Sequence, residues 1–129
     1  IDSRVTYEHK HLTKIHIKYK SKEYAVDKAN FINNKYGNYV KAYYVNTNSI
    51  EIISNKTNKA KAIYWLIKFC NNVNKTNTYV IGDGYSDIEM VQEFNGYCMA
   101  DSVSKLKSIA IREYDSVSSL IKEILNSEK

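Results

Sequence analysis

Two aspartates four positions apart lie in the segment Gly-Asp-Gly-Tyr-Ser-Asp at 82–87. The apolar residues 79–82 predict a short strand buried in a parallel sheet, and a helix is predicted to begin at Ser86. Because ligands bind at the carboxyl ends of such strands, Asp83 and Asp87 are expected in one crevice. Neighbouring carboxylates repel each other unless a cation neutralises them, and their hard oxygens suit Mg²⁺. The same residues also fit a simpler interpretation, in which Asp83 caps a turn and Asp87 complements the helix dipole.

The elements that must position these aspartates alternate between helices and short apolar strands. Helices are predicted over residues 59–71, 86–94, 103–110 and from 117 onwards, and strands over 79–82, 96–100 and 109–114. This alternation is typical of a parallel α/β layer with right-handed crossovers. Ser86 and Glu89 have the spacing of a capping box. Helical spacing and strand position predict burial of Leu66, Cys70, Cys98, Val117, Leu120, Ile121, Ile124 and Leu125.

The first part of the chain has a different order of elements. Strand, helix, strand and strand are predicted over residues 11–19, 25–36, 40–45 and 49–53. Gly37 follows the helix as a stop signal, and the polar residues between the last two strands indicate a hairpin turn. These elements would form a small sheet with one helix. A boundary between the two parts is predicted near 54–58.

Residues 83–90, Asp-Gly-Tyr-Ser-Asp-Ile-Glu-Met, resemble the fourth motif of the haloacid dehalogenase (HAD) superfamily, in the form found in its Cof-like, type IIB-capped sugar-phosphatase branch. That motif runs Gly-Asp-Gly, any residue, Asn, Asp, two residues and Met, so this sequence departs from it at Ser86. Residues 54–66 are similar to the third motif, in which a Lys opens the helix that re-enters the core. Lys59 takes that position. The predicted strand before the fourth motif and the helix after it are those that the motif requires.

The resemblance implies an α/β fold in two parts. Residues 1–56 would be the second half of an α/β cap domain, and residues 57–129 the C-terminal part of a HAD-like Rossmannoid core with a parallel sheet and helices. An intact core would add a strand beside the one at 79–82. Without that strand the sheet edge is unpaired, and we expect a homo-oligomer or marginal stability.

The resemblance also implies the roles of four side chains. Asp83 would bind Mg²⁺, and Asp87 would hold Lys59 or contribute to the metal site through a bound water. Lys59 would offset the charge of the nucleophile and of the phosphoryl group, which stabilises the transition state electrostatically. Ser86, in the place of the family's Asn, would contact the substrate phosphate.

The family's reaction needs an Asp nucleophile and an Asp general acid/base in an Asp-X-Asp-Gly-Thr segment, which this sequence lacks. Covalent phosphoryl transfer cannot run without its nucleophile. We therefore expect the C-terminal fragment of a phosphohydrolase, inactive alone, whose parent acts on a small phosphorylated metabolite such as a sugar phosphate. The nucleophile would lie in a missing N-terminal half, and Ile1 in place of Met agrees with this. The alternatives are a phosphotransferase or mutase of the same superfamily, or a stand-alone module that binds a metal or partner without catalysis.

Composition and charge exclude several functional classes. The 129 residues carry a net charge of +5, but the cations are scattered lysines with no basic run interleaved with aromatic residues, so no nucleic-acid partner is expected. The apolar stretches are too short to span a membrane, and no leader is visible. Two cysteines fit a reducing cytoplasm. His9, His11 and His16 have no Cys or carboxylate placed to complete a zinc site, so they are interpreted as surface imidazoles.

Overall fold

The computed structural model describes residues 13–45 and 47–127, and the chain divides into two compact units, Ile1–Lys56 and Thr57–Lys129. One unit contains an antiparallel sheet and the other a parallel sheet, each with helices, which confirms the predicted α/β class. The assignment of the two parts to a cap and a core stays a prediction. In the described part of the chain, no helix is both long and apolar enough to cross a membrane. His9 and His11 lie outside the described residues.

The unit Ile1–Lys56 packs one helix against a three-stranded antiparallel sheet of order β1-β3-β2. Its elements are β1 (Lys14–Lys18), α1 (Lys22–Tyr36), β2 (Val40–Val45) and β3 (Ser49–Ser54). Ser21 caps α1, because its hydroxyl accepts a hydrogen bond of 3.3 Å from the amide of Tyr24. Ala25 and Ala29 of the helix pack on Ile50 of β3, and their small side chains allow a close approach to the sheet.

The unit Thr57–Lys129 contains a three-stranded parallel sheet of order β4-β5-β6. Its helices and strands are α2 (Lys59–Ile67), β4 (Ile81–Gly82), α3 (Ile88–Glu93), β5 (Tyr97–Met99), α4 (Ser104–Lys107), β6 (Glu113–Tyr114) and α5 (Val117–Ser127). The core residues are Ala60, Val80, Met90, Val91, Phe94, Cys98 and Leu106. They come from α2, α3, α4 and the strand segments, so the helices bury their apolar faces against the sheet.

Several predicted burials in this unit are wrong. The helix α2 ends at Ile67, four residues earlier than predicted, so Cys70 lies beyond it and is exposed. Leu66 is also exposed. On α5 only Leu120 is buried, whereas the structure exposes three of the other predicted core residues: Val117, Ile121 and Leu125. The burial of Cys98 is confirmed, and this burial raises the pKa of its thiol.

The predicted capping box at Ser86 is also wrong. Residues Tyr85–Asp87 form a short 3-10 turn, and α3 begins only at Ile88. No side chain caps the N-terminus of α3. The carboxylate of Asp87 instead accepts hydrogen bonds from amides that precede it in the chain, which draws the backbone into the tighter turn. Ser86 is therefore a half-buried residue inside the turn rather than a cap.

Candidate functional site

The backbone at the end of β4 is anchored by the segment that follows β5. The carbonyl of Gly82 accepts a hydrogen bond of 3.1 Å from the hydroxyl of Ser102, which is itself buried. The carbonyl of Asp83 accepts one of 3.1 Å from the amide of Val103. Both donors follow β5, whose carboxyl end lies beside that of β4 in the parallel sheet. These bonds fix the position from which the Asp83 side chain projects.

Asp87 is the centre of the site. Asp87 is only 3% exposed, and both of its carboxylate oxygens accept hydrogen bonds. Oδ2 accepts from the amides of Asp83 at 3.0 Å and of Gly84 at 3.1 Å, while Oδ1 accepts from Nζ of Lys59. A buried carboxylate needs such donors, because its desolvation is otherwise costly. The structure thus brings together Lys59 and Asp87, which are 28 positions apart in the sequence.

Lys59 reaches Asp87 from the first turn of α2. Asn58 caps that helix, with Oδ1 accepting a hydrogen bond of 2.8 Å from the amide of Lys61. A cation at a helix N-terminus is unfavourable for the helix dipole. The ion pair with Asp87 compensates for this position. The lysine side chain is 54% exposed, whereas the carboxylate that its ammonium contacts is buried.

The hydrogen bonds at Asp87 decide its ionisation. Burial alone would raise the pKa of this carboxyl. The ammonium of Lys59 and the amides of Gly84 and Asp83 outweigh burial, and together they hold the pKa of Asp87 below its ordinary value of 3.8. Asp87 is therefore an anion at neutral pH.

Asp83 and Ser86 have more open surroundings. Asp83 is exposed, and among the described residues no hydrogen bond or ion pair engages its carboxylate. In the described ranges no three His, Cys, Asp or Glu side chains gather into a metal-ligand cluster. Mg²⁺, however, is commonly held by one or two carboxylates while it keeps several waters. The exposed carboxylate of Asp83 fits that requirement, and the Asp83 amide bonds to the anionic Asp87.

Sequence reasoning missed Ser102 as a residue of the site. It lies 20 positions from Gly82 and carries no recognisable motif. The available signal was topological: residues that follow neighbouring parallel strands meet at one edge of the sheet. The predicted strand before Ser102 was therefore a pointer to this residue.

The sequence and fold were compared with known proteins. The family model described as haloacid dehalogenase-like hydrolase matches residues 1–119. No curated protein gives a significant match.

Solved structures share the fold at low sequence identity. SMU.1108c from Streptococcus mutans is 22% identical with a TM-score of 0.76, over 88% of this chain and 45% of that chain. A HAD/COF-like hydrolase from Plasmodium vivax is 19% identical with a TM-score of 0.78, over 89% and 42%. The HAD subclass IIB sugar phosphatase BT4131 is 17% identical with a TM-score of 0.68, over 78% and 40%. The chain thus spans less than half the length of each of these proteins.

Proposed function

Because the chain belongs to the haloacid dehalogenase-like hydrolases, we propose that it forms part of a Mg²⁺-dependent phosphohydrolase that acts on a small phosphorylated metabolite. The observation that carries this proposal is the buried Asp87 carboxylate, which bonds both to the ammonium of the half-exposed Lys59 and to the backbone amide of the exposed Asp83. A sugar phosphate is the substrate class we favour, because one of the similar structures is a sugar phosphatase.

In this proposal, an Asp outside these 129 residues attacks phosphorus, and the bond from phosphorus to the leaving oxygen breaks. A second Asp of that segment donates a proton to the leaving oxygen, and water then hydrolyses the aspartyl-phosphate. Asp83 would hold Mg²⁺, which when bound neutralises charge on the phosphoryl oxygens. Lys59 donates hydrogen bonds to the nucleophilic carboxylate and the phosphoryl group, Asp87 fixes the position of its Nζ, and Ser86 donates to the phosphate.

Binding of Mg²⁺ tests the role of Asp83. A site with one or two carboxylates is expected to bind Mg²⁺ with a dissociation constant of about 1 mM, so 10 mM MgCl2 should stabilise the chain by about 1.4 kcal/mol. Thermal unfolding with and without MgCl2, at constant ionic strength, measures this shift. Asp83→Asn should abolish it, whereas the control Asp115→Asn, at an exposed position after β6, should retain it. An equal shift in both variants would contradict the assignment.

Phosphatase assays test the proposed reaction. The 129-residue chain should not hydrolyse glucose 6-phosphate alone. Joined to its own N-terminal coding sequence, it should turn over the substrate, and Lys59→Ala in that longer protein should lower kcat about 10²- to 10³-fold. Turnover by the 129 residues alone would show that the nucleophile is not missing. A longer protein that folds, binds Mg²⁺ and still fails to hydrolyse any phosphate ester would favour a non-catalytic binding role.

A further inference from the structure

One flank of α1 carries a row of alternating aromatic and lysine side chains. Tyr24, Lys28, Phe31 and Lys35 follow one another at steps of four, three and four residues, which places them along one side of the helix. Tyr24 and Phe31 are each 51% exposed. We name these four residues the aromatic–lysine row. They are scattered positions in the sequence, and the helix brings them together.

Contacts between ammonium groups and rings order this row. Nζ of Lys28 lies 5.0 Å from the centre of the Tyr24 ring and 5.7 Å from that of Phe31. Nζ of Lys35 lies 5.5 Å from the centre of the Phe31 ring. These are the distances of cation–π interactions. In the described part of the chain, neither lysine forms an ion pair with a carboxylate. Both ammonium groups therefore keep donors for a further partner.

The helix α1 is a firm support for the row. The side chain of Asn33 donates a hydrogen bond of 2.9 Å to the carbonyl of Ala42 in β2 and accepts one of 2.8 Å from the amide of the same residue. Ala25 and Ala29 are buried against the sheet. At 3.6 residues per turn, the row lies roughly 110° around the helix from these alanines. The helix can therefore pack on its own sheet and on a second surface at once.

The order of the row makes it complementary to a reversed copy of itself. The steps of four, three and four residues read the same from either end, but reversal exchanges each aromatic residue with a lysine. In an antiparallel pair of α1 helices, Tyr24 therefore lies opposite Lys35 of the partner subunit, and Phe31 lies opposite Lys28 of the partner subunit. A two-fold axis repeats both contacts. A parallel pair in register would instead oppose lysine to lysine.

We propose that α1 pairs antiparallel with α1 of a second copy of this chain, with the aromatic–lysine row as the contact. The charges along the helix fit this arrangement. Glu23 and Asp27 lie in its first half and Lys35 in its last turn, so each acidic half meets a basic end. Opposed helix dipoles also favour the antiparallel pair. No residue of the candidate site takes part, so this inference stands independently of the proposed function.

Sedimentation of the 129-residue chain from about 5 to about 500 µM tests this proposal. One helix flank is small beside the roughly 1,200 Å² of a stable interface, so we expect a weak dimer with a dissociation constant of about 100 µM. Phe31→Lys opposes a lysine to Lys28 of the partner subunit and should raise that constant about tenfold or more. The double exchange Lys28→Phe with Phe31→Lys again opposes a ring to each lysine. It should return the constant to within about threefold of the native value.

A matched variant separates this contact from other routes to association. Phe69→Lys makes the same change at an exposed ring in the unit Thr57–Lys129 and should alter the dissociation constant less than about twofold. Circular dichroism checks that each variant keeps its helix content.

Several results would overturn the proposal. A chain that stays monomeric at the highest concentration is one, and equal effects of Phe31→Lys and Phe69→Lys are another. Failure of the double exchange to restore a dimer would exclude the antiparallel register. Association that none of these variants changes would assign self-association to the open sheet edge instead. A dimer that is lost when the N-terminal coding sequence is joined would mean that another segment of the parent protein covers α1. Binding of a single-stranded RNA to α1 more tightly than a second copy would assign the row to nucleic acid.

Discussion

Replacing Gly82 by alanine is expected to destabilise the unit Thr57–Lys129 by about 3 kcal/mol or more, and to displace the Asp87 carboxylate. A Cβ atom on Gly82 would lie 2.8 Å from Cγ of Asp87 and 3.0 Å from its Oδ2. Asp87 cannot move aside easily, because it is buried and bonded to Lys59 and to two backbone amides. The loss is a large share of the 5–15 kcal/mol that stabilises a typical domain.

Gly84→Ala is the matched control. A Cβ atom on Gly84 would come no closer than 3.9 Å to Oδ2 of Asp87, which is an ordinary van der Waals distance. Its φ of −118° is accessible to alanine. Urea denaturation followed by the fluorescence of Trp65, the only Trp in the sequence, measures both variants. Equal stability of Gly82→Ala and Gly84→Ala would mean that Asp87 is not held rigidly after all.

Loss of the ion pair between Lys59 and Asp87 should have the second large effect. Lys59→Met leaves Asp87 buried with its two amide donors alone, which we expect to cost about 2–3 kcal/mol at pH 7. Asp87→Asn should lower the free energy of unfolding by a similar amount, because an NH₂ donor replaces one of the two accepting carboxylate oxygens. The double variant should lose much less stability than the sum of the losses in the two single variants, since both single changes break the same contact.

The cost of Lys59→Met should depend on pH in a definite direction. The pKa of Asp87 is lowered in the folded protein, so its contribution to stability is present above about pH 3.8 and is lost as pH falls through the folded value. The stability difference between the native protein and Lys59→Met should therefore be full at pH 7 and shrink below pH 4. The control Lys68→Met, at an exposed position after α2, should differ from the native protein by less than about 0.5 kcal/mol throughout. A difference for Lys59→Met that does not change with pH would rule out its pairing with ionised Asp87.

Local periodicity was sufficient to predict most helices and strands, but not which of their apolar faces are buried. The helix α1 and the hairpin of β2 and β3 follow from apolar spacing and from residues a few positions apart. Leu66 and Ile121 lie on the apolar faces predicted for their helices and are nevertheless exposed. Spacing identifies an apolar face, whereas burial requires another element to pack against it.

The candidate site was predicted through its motif rather than through its geometry. The resemblance singled out Lys59 and Asp87, and the structure brings them into contact, while their catalytic roles stay predictions. The amide donors of Asp83 and Gly84 depend on a backbone turn that no residue pattern specifies. The capping box at Ser86 failed for the same reason, since residues Tyr85–Asp87 form a 3-10 turn and α3 begins only at Ile88.

The two cysteines allow transient unfolding of the unit Thr57–Lys129 to be measured by thiol alkylation. Cys70 is exposed beyond α2, whereas Cys98 is wholly buried in β5 and its thiol pKa is raised. A thiol reagent attacks only a thiolate that it can reach. Cys70 should therefore be alkylated in a fast phase, while Cys98 waits until the sheet transiently separates. The amplitude of the fast phase gives the concentration of protein in the same sample. The rate of the slow phase then gives the free energy of that strand separation, so no further label is needed.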